Sequence, residues 1–558
     1  MIIYYYKVGD YMNISKNTKY RFMFFLVFLI IINFVIIQDI VKNYDFSLEL
    51  SENVYFAFYV DNVEINTFPG KDEGYVLDEE ASYCSDGAKL YWDHEEWSPK
   101  IKNLSTTKTK CQLYFKTYYV EDILYGVEPV LTDELVPVTI EDDGTVKKAN
   151  LGSTWYSYAN KQWANAVILE KESESANYLA GEVIPESAIE SYFVWIPKYR
   201  YQIWNLGTYN SLGTIDTKQV RTISIQFGNY NTSDSVSGEC TTPMTSGASG
   251  NCGVGEYMTH PAFLSIPSTG FWVGKFATTY KNSPSVECNI ENISIKPGIL
   301  MWATSNMNVS VQHLNSFNYK RHLDSHMMKN TEWGAVAYLS HSKYGSSSKI
   351  RLNNNNYLTG YAATKAPTCG YTGTNEECNA YGTDVSVTQP YNTESGYTAS
   401  TTGNITGIYD MAGTDQVMMA FTLSASGDVI IGLSTRNSGF NGVYGDTNGS
   451  LTTGVKLPEA KYYDVYQSES VSINRTYYRR ILGDATGELG PFEIVDESFG
   501  GELSSWYNEL MDQYYSSYYS VAHRGYGRQG GYVSGIFAFQ GGYGKSSASF
   551  RIILTPTK

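Results

Sequence analysis

The side chains best suited to ligand binding lie near the C-terminus of the chain. Tyrosines there are interspersed with serine and glycine around Arg524 and Arg528, a mixture that gives binding loops a large contact area at low entropic cost. Tyrosine is frequent throughout, with 49 among 558 residues, so a local sample of this overall bias is the competing interpretation. We predict a binding surface in the loops between Trp506 and Lys545. Its candidate residues are Trp506, Tyr526, Arg528, Tyr532 and Tyr543.

Two patterns offer metal ligands, but neither is complete. His322 and His326 are four positions apart and would share one helix face, a spacing that some metal sites use. Neither Glu332 nor His341 completes a known pattern with this pair, so an exposed or capped helix face is the preferred interpretation. Asp446–Ser450 supplies oxygen ligands at a turn, without the acidic residue that a calcium loop places further along. We predict no cofactor, and a structural calcium ion stays open.

The seven cysteines fall mostly into close pairs, which is typical of disulfides in oxidising compartments. The predicted pairs are Cys84 with Cys111, Cys240 with Cys252, and Cys369 with Cys378, and Cys288 is left over. One sequence does not fix the connectivity, and buried or free thiols are the alternative.

The composition is that of a large, loop-rich globular protein. Hydrophobic residues make up 42% of the chain and charged residues 18%, with 49 Gly and 16 Pro, so we expect a packed core and not disorder. The net charge of −16 opposes attraction to phosphate backbones, and we expect no nucleic-acid partner. The sequence contains no nucleophile elbow, Walker loop or dinucleotide fingerprint, which disfavours hydrolases and kinases.

One apolar segment, residues 22–41, is long enough to cross a bilayer as a single helix. Four basic residues precede it and favour a cytoplasmic N-terminus; they are Lys7, Lys16, Lys19 and Arg21. A cleaved signal peptide is the alternative, but no small-x-small cleavage site follows the segment. We therefore predict a single-pass protein of the cell membrane, with residues 1–21 cytoplasmic and the following domains extracellular.

The rest of the chain divides into three predicted segments. Residues 44–135 contain alternating stretches such as Val54–Val63 and predict a small all-β domain, for which an immunoglobulin-like sandwich is one option. Residues 136–190 carry mixed charge and turn signals and predict a connector with some strands. Residues 191–558 combine short β-like segments with many loops rich in Gly, Ser, Thr and Asn.

Ordered blocks in this last segment resemble the formylglycine-generating enzyme family, the sulfatase-modifying factors. FVWIPKYRYQIW at Phe193–Trp204 looks like the family's opening strand, and GFWVGKFATT at Gly270–Thr279 looks like the strand that leads into its EVT segment. NTEWGAVAYLS at Asn330–Ser340 resembles its TEAEWEYAAR helix, with Thr331 as the expected N-cap. GNITGIYDMAG at Gly403–Gly413 is similar to its N-x-x-G-L-Y-D-M-x-G block.

The C-terminus completes the resemblance. His523–Tyr526 resembles the family's RGGSW block, and Ser549–Leu554 resembles its closing GFR strand. The resemblance implies an α+β domain with a C-type-lectin-like core, in which a small twisted antiparallel sheet carries one or two helices and many loops. Preceded by the small all-β domain and the transmembrane helix, this is the predicted fold class.

The family's copper site is missing from this sequence. In its active members, a cysteine pair between the RGG block and the closing strand binds copper and activates oxygen, because thiolates are suited to Cu(I). The interval Arg524–Arg551 contains no cysteine, and Gly413–Met418 replaces the family's GNVWEW segment. The resemblance therefore implies a domain without this oxidase chemistry. Some proteins of this fold are targets of diversity-generating retroelements, which vary the same C-terminal region.

We predict a non-catalytic cell-surface protein that binds an extracellular protein or glycan, or mediates adhesion. An enzyme of the same fold with other chemistry and a structural envelope protein are the alternatives. Bound copper or iron with oxygen consumption would favour the enzyme, whereas self-assembly without ligand would favour the structural protein.

Overall fold

A computed structural model describes much of the chain after residue 53. The described residues are 54–60, 63–65, 75–78, 81–85, 88–93, 98–102, 109–117, 124, 126–151, 155–171, 178–205, 220–230, 254–266, 268–281, 290–302, 307–353, 358–363, 388–423, 429–430, 458–467, 481–489, 493–496, 501–504, 506–507, 509–512, 521–525, 534–542, 545–546 and 548–557. The chain divides into two compact units, Met1–Tyr118 and Tyr119–Lys558, which we call the smaller and the larger unit.

The smaller unit consists of short strands, as the alternation of apolar and polar residues predicts. The strands are β1 (Val54–Val60), β2 (Val63–Ile65), β3 (Tyr75–Leu77), β4 (Tyr83–Cys84), β5 (Lys89–Asp93), β6 (Ser98–Lys102) and β7 (Thr109–Thr117). One sheet has the order β2-β1-β7-β3, with β4 also paired to β7, and β5 pairs with β6. Leu77, Leu113 and Phe115 form a buried core in this unit.

One of the predicted disulfides is present in the smaller unit. Cys84 and Cys111 are register partners on antiparallel strands β4 and β7, and a disulfide joins them, which confirms this pairing. The other predicted cysteines lie outside the described residues: Cys240, Cys252, Cys288, Cys369 and Cys378.

The larger unit contains the remaining described elements. Its strands are β8 (Val136–Ile140), β9 (Val146–Lys148), β10 (Asn165–Leu169), β11 (Ile189–Pro197), β12 (Tyr199–Gln202), β13 (Ile225–Phe227), β14 (Tyr257–Thr259), β15 (Gly270–Gly274), β16 (Thr279–Tyr280), β17 (Ile293–Ser294), β18 (Met307–Asn308), β19 (His326–Met327), β20 (Tyr361–Ala363), β21 (Thr388–Pro390), β22 (Gln416–Leu423), β23 (Val429–Ile430), β24 (Asp464–Gln467), β25 (Glu493–Asp496), β26 (Gly501–Leu503), β27 (Met511–Asp512), β28 (Val521–Gly525), β29 (Gly535–Gly542), β30 (Lys545–Ser546) and β31 (Ile552–Leu554). Its α-helices are α1 (Val309–Tyr319) and α2 (Asn330–Ser340).

A seven-stranded sheet forms the centre of the larger unit. Its order is β19-β31-β15-β11-β10-β8-β9, so the C-terminal strand lies beside strands from much earlier in the chain. Every residue of β10 and β15 is buried, because both faces of these strands are covered. Residues 136–190, predicted as a connector, supply three strands and the start of a fourth to this sheet.

A second sheet supports the C-terminal part of the chain. It has the order β23-β22-β28-β29-β27, with β24 also paired to β22. The backbone N–H of Val417 in β22 donates to the carbonyl of Ser549, 2.9 Å away, just before β31. The two sheets are therefore tied together at the point where the chain ends.

Helix α2 is buried along its whole length between these sheets and the surrounding loops. Glu332 accepts a hydrogen bond of 2.8 Å from the backbone N–H of Lys329, which closes the first turn. Thr331, the predicted N-cap, lies inside the helix, which begins one residue earlier. Its backbone N–H donates to Asp464 at 2.7 Å. The predicted helix is thus present, but its N-cap is Lys329 and not Thr331. Thr331 donates instead to the carboxylate of Asp464, which is distant in the sequence.

The predicted α+β fold class is wrong, since the fold is β-rich. Strand accounts for 38% of the described residues, and α1 and α2 are the only α-helices among them. Many strands are two or three residues long and pair across long connections. The sequence indicated short β-like segments in residues 191–558, but the α+β class came from the family resemblance, because strands this short leave too little periodic signal to count.

The predicted location in the cell membrane is corrected by the same structure. Within the described ranges, no helix is long and apolar enough to cross a membrane. The segment that carried the prediction, residues 22–41, lies outside the described residues.

Candidate functional site

Most of the predicted binding residues belong to the connection between two paired strands. β28 ends at Gly525 and β29 begins at Gly535, and these two glycines are register partners. Residues 526–533 form the chain connection between them, which we call the β28–β29 connection. The predicted residues outside the described part of the chain are Tyr526, Arg528, Tyr532 and Tyr543. The structure therefore describes the base from which this connection leaves and returns.

Arg524 fixes the β28 side of that base. Its side chain is completely buried, and its Nε donates to Asn330 Oδ1 at 2.7 Å. Its guanidinium also donates to the carbonyls of Asp484 and Ala485. A buried cation with this many acceptors is rigid, because losing one of them would leave a charge uncompensated in the interior.

A loop at residues 481–489 holds these acceptors in place. Asp484 accepts hydrogen bonds from the Thr486 N–H at 3.0 Å and from the Tyr466 hydroxyl at 3.0 Å. Burial raises the pKa of Asp484, and the charge of Arg524 opposes that rise. Glu488 accepts from the Tyr201 hydroxyl at 2.9 Å, which ties the loop to β12. The base of the connection thus rests on a buried polar network.

Trp506, the remaining predicted binding residue, is fully buried. Its ring stacks on Trp204 with centroids 5.5 Å apart and contacts Phe537 of β29 edge-on. Its Nε1 has no hydrogen-bond partner among the described residues. Because it is covered by other aromatic rings, Trp506 supports the surface beside it and does not itself face solvent.

Tyr507 is the neighbouring aromatic residue that reaches the surface. It is half-buried, and its backbone has a φ of 60°, a left-handed conformation that is uncommon for a bulky side chain. Its hydroxyl lies 3.2 Å from His341 Nε2 at the end of α2. Such a conformation persists only where neighbouring groups hold it, and it is found most often at functional sites.

Glu509 follows on the same segment and points at the start of β29. Its Oε2 accepts a 2.7 Å hydrogen bond from the Phe537 N–H. A Cβ on Gly535 would lie 1.9 Å from the Glu509 carboxyl carbon, so only glycine allows this approach. Burial raises the pKa of Glu509 to about 7, although the charge of Lys349 lowers it in part.

Lys349 is the partner of this carboxyl. Its Nζ lies 3.7 Å from Glu509 Oε1 and 3.3 Å from the Tyr507 carbonyl. About a fifth of its side chain is exposed, 21% against 1% for Glu509. Burial lowers the pKa of Lys349, and Glu509 opposes that effect. We call Lys349, Tyr507 and Glu509, together with the buried His341 and Trp506, the Tyr507 corner.

His341 is neutral in this arrangement. Burial lowers its pKa to about 3, because a charged imidazole would lose its hydration there. Its Nδ1 has no hydrogen-bond partner among the described residues. The corner therefore combines a partly exposed lysine side chain, a half-exposed tyrosine and a buried carboxyl whose pKa is about 7. These groups suit the binding of a polar or anionic ligand, and the carboxyl also suits proton transfer.

The structure separates the two histidines considered as a metal pair. His322 is exposed, whereas His326 is buried in β19 and lies 3.0 Å from Glu332 Oε1. They do not share a helix face, because Asp324 between them has a left-handed backbone with φ 52°. No group of three or more His, Cys, Asp or Glu side chains in the described ranges could hold a metal ion. Asp446–Ser450 lies outside those ranges.

Sequence patterns pointed to Trp506 but not to the residues that surround it. Lys349 and Glu509 are 160 positions apart in the chain, and neither belongs to a recognisable local motif. His341 was noticed only as an incomplete metal ligand. The only local indication of the site was that Tyr507 and Glu509 lie within three positions of Trp506 in the sequence.

Comparisons with known proteins do not assign the chain. No protein-family model matches it, and no curated protein is significantly similar to it in sequence.

Proposed function

We propose that the larger unit is a non-catalytic ligand-binding domain and that its ligand contacts the Tyr507 corner and the β28–β29 connection. The observation that carries the proposal is Tyr507 itself. The residue carries a half-exposed aromatic side chain on an unfavourable backbone conformation, beside the partly exposed side chain of Lys349. Rigid aromatic side chains and cations are common anchors in binding sites.

The scaffold around the connection supports this proposal. Arg524 and the 481–489 loop fix the end of β28, and Glu509 fixes the start of β29 through Phe537. A loop whose two ends are held in this way can vary in sequence while the fold is kept. The sequence of the connection contains Tyr526, Arg528 and Tyr532, whose side-chain types are common anchors in binding sites.

The resemblance to the formylglycine-generating enzymes is consistent with a binding role. Two of its blocks contact each other, since Arg551 of the closing strand donates to the Tyr409 carbonyl at 2.8 Å and lies near the carboxylate of Asp410. The interval Arg524–Arg551 has no cysteine to bind copper. We propose a relative of this family that has kept a scaffold and uses it for binding.

An enzyme with other chemistry is the second candidate, and Glu509 favours it. A buried carboxyl with a pKa of about 7 has the properties of a general acid or base at neutral pH. Turnover of a sulfatase-type cysteine peptide, or oxygen consumption with added copper, would support the enzyme and contradict the non-catalytic proposal.

The test is paired binding and melting measurements on alanine variants of the full chain. Glycan and protein arrays identify a ligand for the wild type, after which Tyr507→Ala, Tyr526→Ala, Arg528→Ala, Tyr532→Ala and Tyr543→Ala are compared with it. Loss of an anchor should weaken binding by about tenfold or more, because such side chains contribute about 2 kcal/mol or more. The melting temperature should stay near that of the wild type.

Matched controls use the same residue types away from the corner. Tyr83→Ala removes an exposed tyrosine of the smaller unit, and Arg321→Ala removes an exposed arginine. Neither should change binding. If all five alanine variants melt early and none binds worse than its stability allows, these side chains are core residues and the proposal is wrong. Absence of any ligand for the wild type would contradict it as well.

A further inference from the structure

The two residues of the ion pair in the Tyr507 corner, Lys349 and Glu509, differ in their exposure to solvent. Glu509 is completely enclosed, and one of its oxygens already accepts from the Phe537 N–H. Lys349 is the member of the pair that solvent reaches. A ligand that approaches from outside therefore meets the side chain of Lys349 before it meets the carboxylate. An ammonium group recognises acceptors and anions.

The other described groups that face Lys349 and Glu509 add no further ionic charge. Tyr507 presents its carbonyl to Lys349 at 3.3 Å and its ring at 5.8 Å. His341, from α2, is held neutral by burial. Strand β29 contributes backbone N–H groups to Glu509. Among the described groups of the corner, the ionic charges are those of Lys349 and Glu509.

We propose that the Tyr507 corner binds a carboxylate group of its ligand through Lys349, and that Glu509 takes up one proton when this happens. The inference rests on the proposed function, because it names the ligand chemistry of the same site. The aromatic ring of Tyr507 beside the ammonium suits a carboxylate carried on a flat or apolar frame, such as an aromatic acid.

The proton balance follows from the spacing of the charges. In the free protein, the Glu509 carboxylate is the counterion of Lys349 at 3.7 Å. A ligand carboxylate at the same ammonium places a second negative charge beside the first, which raises the pKa of Glu509 above its starting value of about 7. One proton from solvent then binds to Glu509, while Lys349 stays charged. No other bond is made or broken.

The consequence is that affinity depends on pH in one direction. Below pH 7 Glu509 is already protonated in the free protein, and binding needs no proton. Above pH 7 Glu509 must take up one proton from solvent each time a ligand binds. The affinity for the ligand therefore falls as the pH rises, by at most about tenfold for each pH unit.

Benzoate is the probe, and benzamide is its neutral match. Binding to the full chain is measured by NMR titration at pH 6, 7 and 8, and calorimetry in buffers of different ionisation enthalpy counts the protons taken up. We expect millimolar affinity for benzoate, weaker binding at pH 8 than at pH 6, and uptake approaching one proton near pH 8. Benzamide should bind at least several-fold more weakly at pH 6.

Four variants, one of them a control, test which residues bind benzoate and which residue makes its binding depend on pH. Lys349→Gln should lower benzoate affinity by about tenfold or more, as expected for loss of a charge-assisted hydrogen bond, and Lys349→Arg should restore part of it. Lys343→Gln, a lysine six positions earlier, is the matched control. Glu509→Gln should bind benzoate with an affinity that no longer changes between pH 6 and 8. Melting curves show that each variant is folded.

The outcomes separate this inference from the proposed function. Equal affinity for benzoate and benzamide, or no benzoate binding at millimolar concentration, overturns the carboxylate assignment. An unchanged pH dependence in Glu509→Gln overturns the proton coupling. If array ligands still bind the wild type and depend on Tyr526 or Tyr532 but not on Lys349, the inference fails while the proposed function stands.

Discussion

Buried histidines are the residues that decide how this protein responds to acid. His260, His313 and His341 are each almost completely enclosed, and burial lowers the pKa of each to about 3. His260 shows the reason most clearly, since its Nε2 lies 2.7 Å from the Gly483 carbonyl and its Nδ1 accepts from the Ala262 N–H. Both ring nitrogens are used by the neutral form, and a second proton has no place.

The three histidines should therefore destabilise the larger unit as the pH falls from about 6.5 toward 3. The folded pKa of each histidine lies below its unfolded value, so the unfolded chain binds more protons at these positions in this range. Each histidine contributes a loss of up to about 1.4 kcal/mol per pH unit. Four buried carboxyls act in the opposite sense, because burial raises the pKa of each of them: Asp410, Asp464, Asp484 and Glu509. The contribution of a single histidine is therefore measured by substituting it.

Urea unfolding at pH 7 and pH 5 measures this slope. His260→Gln should lower stability at pH 7 but lose less between pH 7 and 5 than the wild type does. His322→Gln is the control, since His322 is 58% exposed. Parallel slopes for His260→Gln and the wild type would show that His260 is not responsible.

At the scale of elements, α2 is the helix that joins the scaffold to the site. Its first turn supplies Asn330 to Arg524, and it ends at His341, which contacts Tyr507. Its middle lies directly against the 481–489 loop. A Cβ on Gly334 would stand 2.0 Å from the Gly483 carbonyl oxygen, so the close approach depends on glycine.

Gly334→Ala should destabilise the larger unit although alanine favours helix. Intrinsic propensity gains about 1 kcal/mol, but the clash with backbone atoms, which cannot rotate away, has a cost of about 1–3 kcal/mol or more. Ligand affinity should fall too, because the 481–489 loop positions Arg524. Asn318→Ala on α1 is the control, since its side chain donates to the Leu314 carbonyl within its own helix. A more stable Gly334→Ala protein would refute the packing argument.

At the scale of the whole molecule, the chain is two units with different sources of stability. The larger unit has an extensive buried core, whereas the smaller unit has small clusters and one disulfide. A small core contributes little net stability, so a covalent link matters more there.

Removal of the disulfide should therefore affect the smaller unit selectively. For a loop of 27 residues, chain entropy predicts a loss of about 3–4 kcal/mol in Cys84→Ser/Cys111→Ser. Hydrogen exchange, read separately for peptides of each unit, should show faster exchange in β1 and β7 and unchanged exchange in β11 and β15. Reduction of the Cys84–Cys111 disulfide in the wild type should give the same exchange pattern without any substitution. Equal acceleration in both units would contradict this division.

The sequence alone determined the features that depend on local pattern or short separation. Asn330–Ser340 is helical and Gly270–Gly274 and Ile552–Leu554 are buried strands, as the resemblance of these blocks to the formylglycine-generating enzymes implied. Cys84 pairs with Cys111, as their close spacing in the sequence predicted. The tertiary structure alone decided the rest. It buried Trp506 and placed Lys349 beside Glu509. It also decided how many short strands pair across long connections to give a β-rich fold, because contacts between distant segments leave no trace in the order of neighbouring residues.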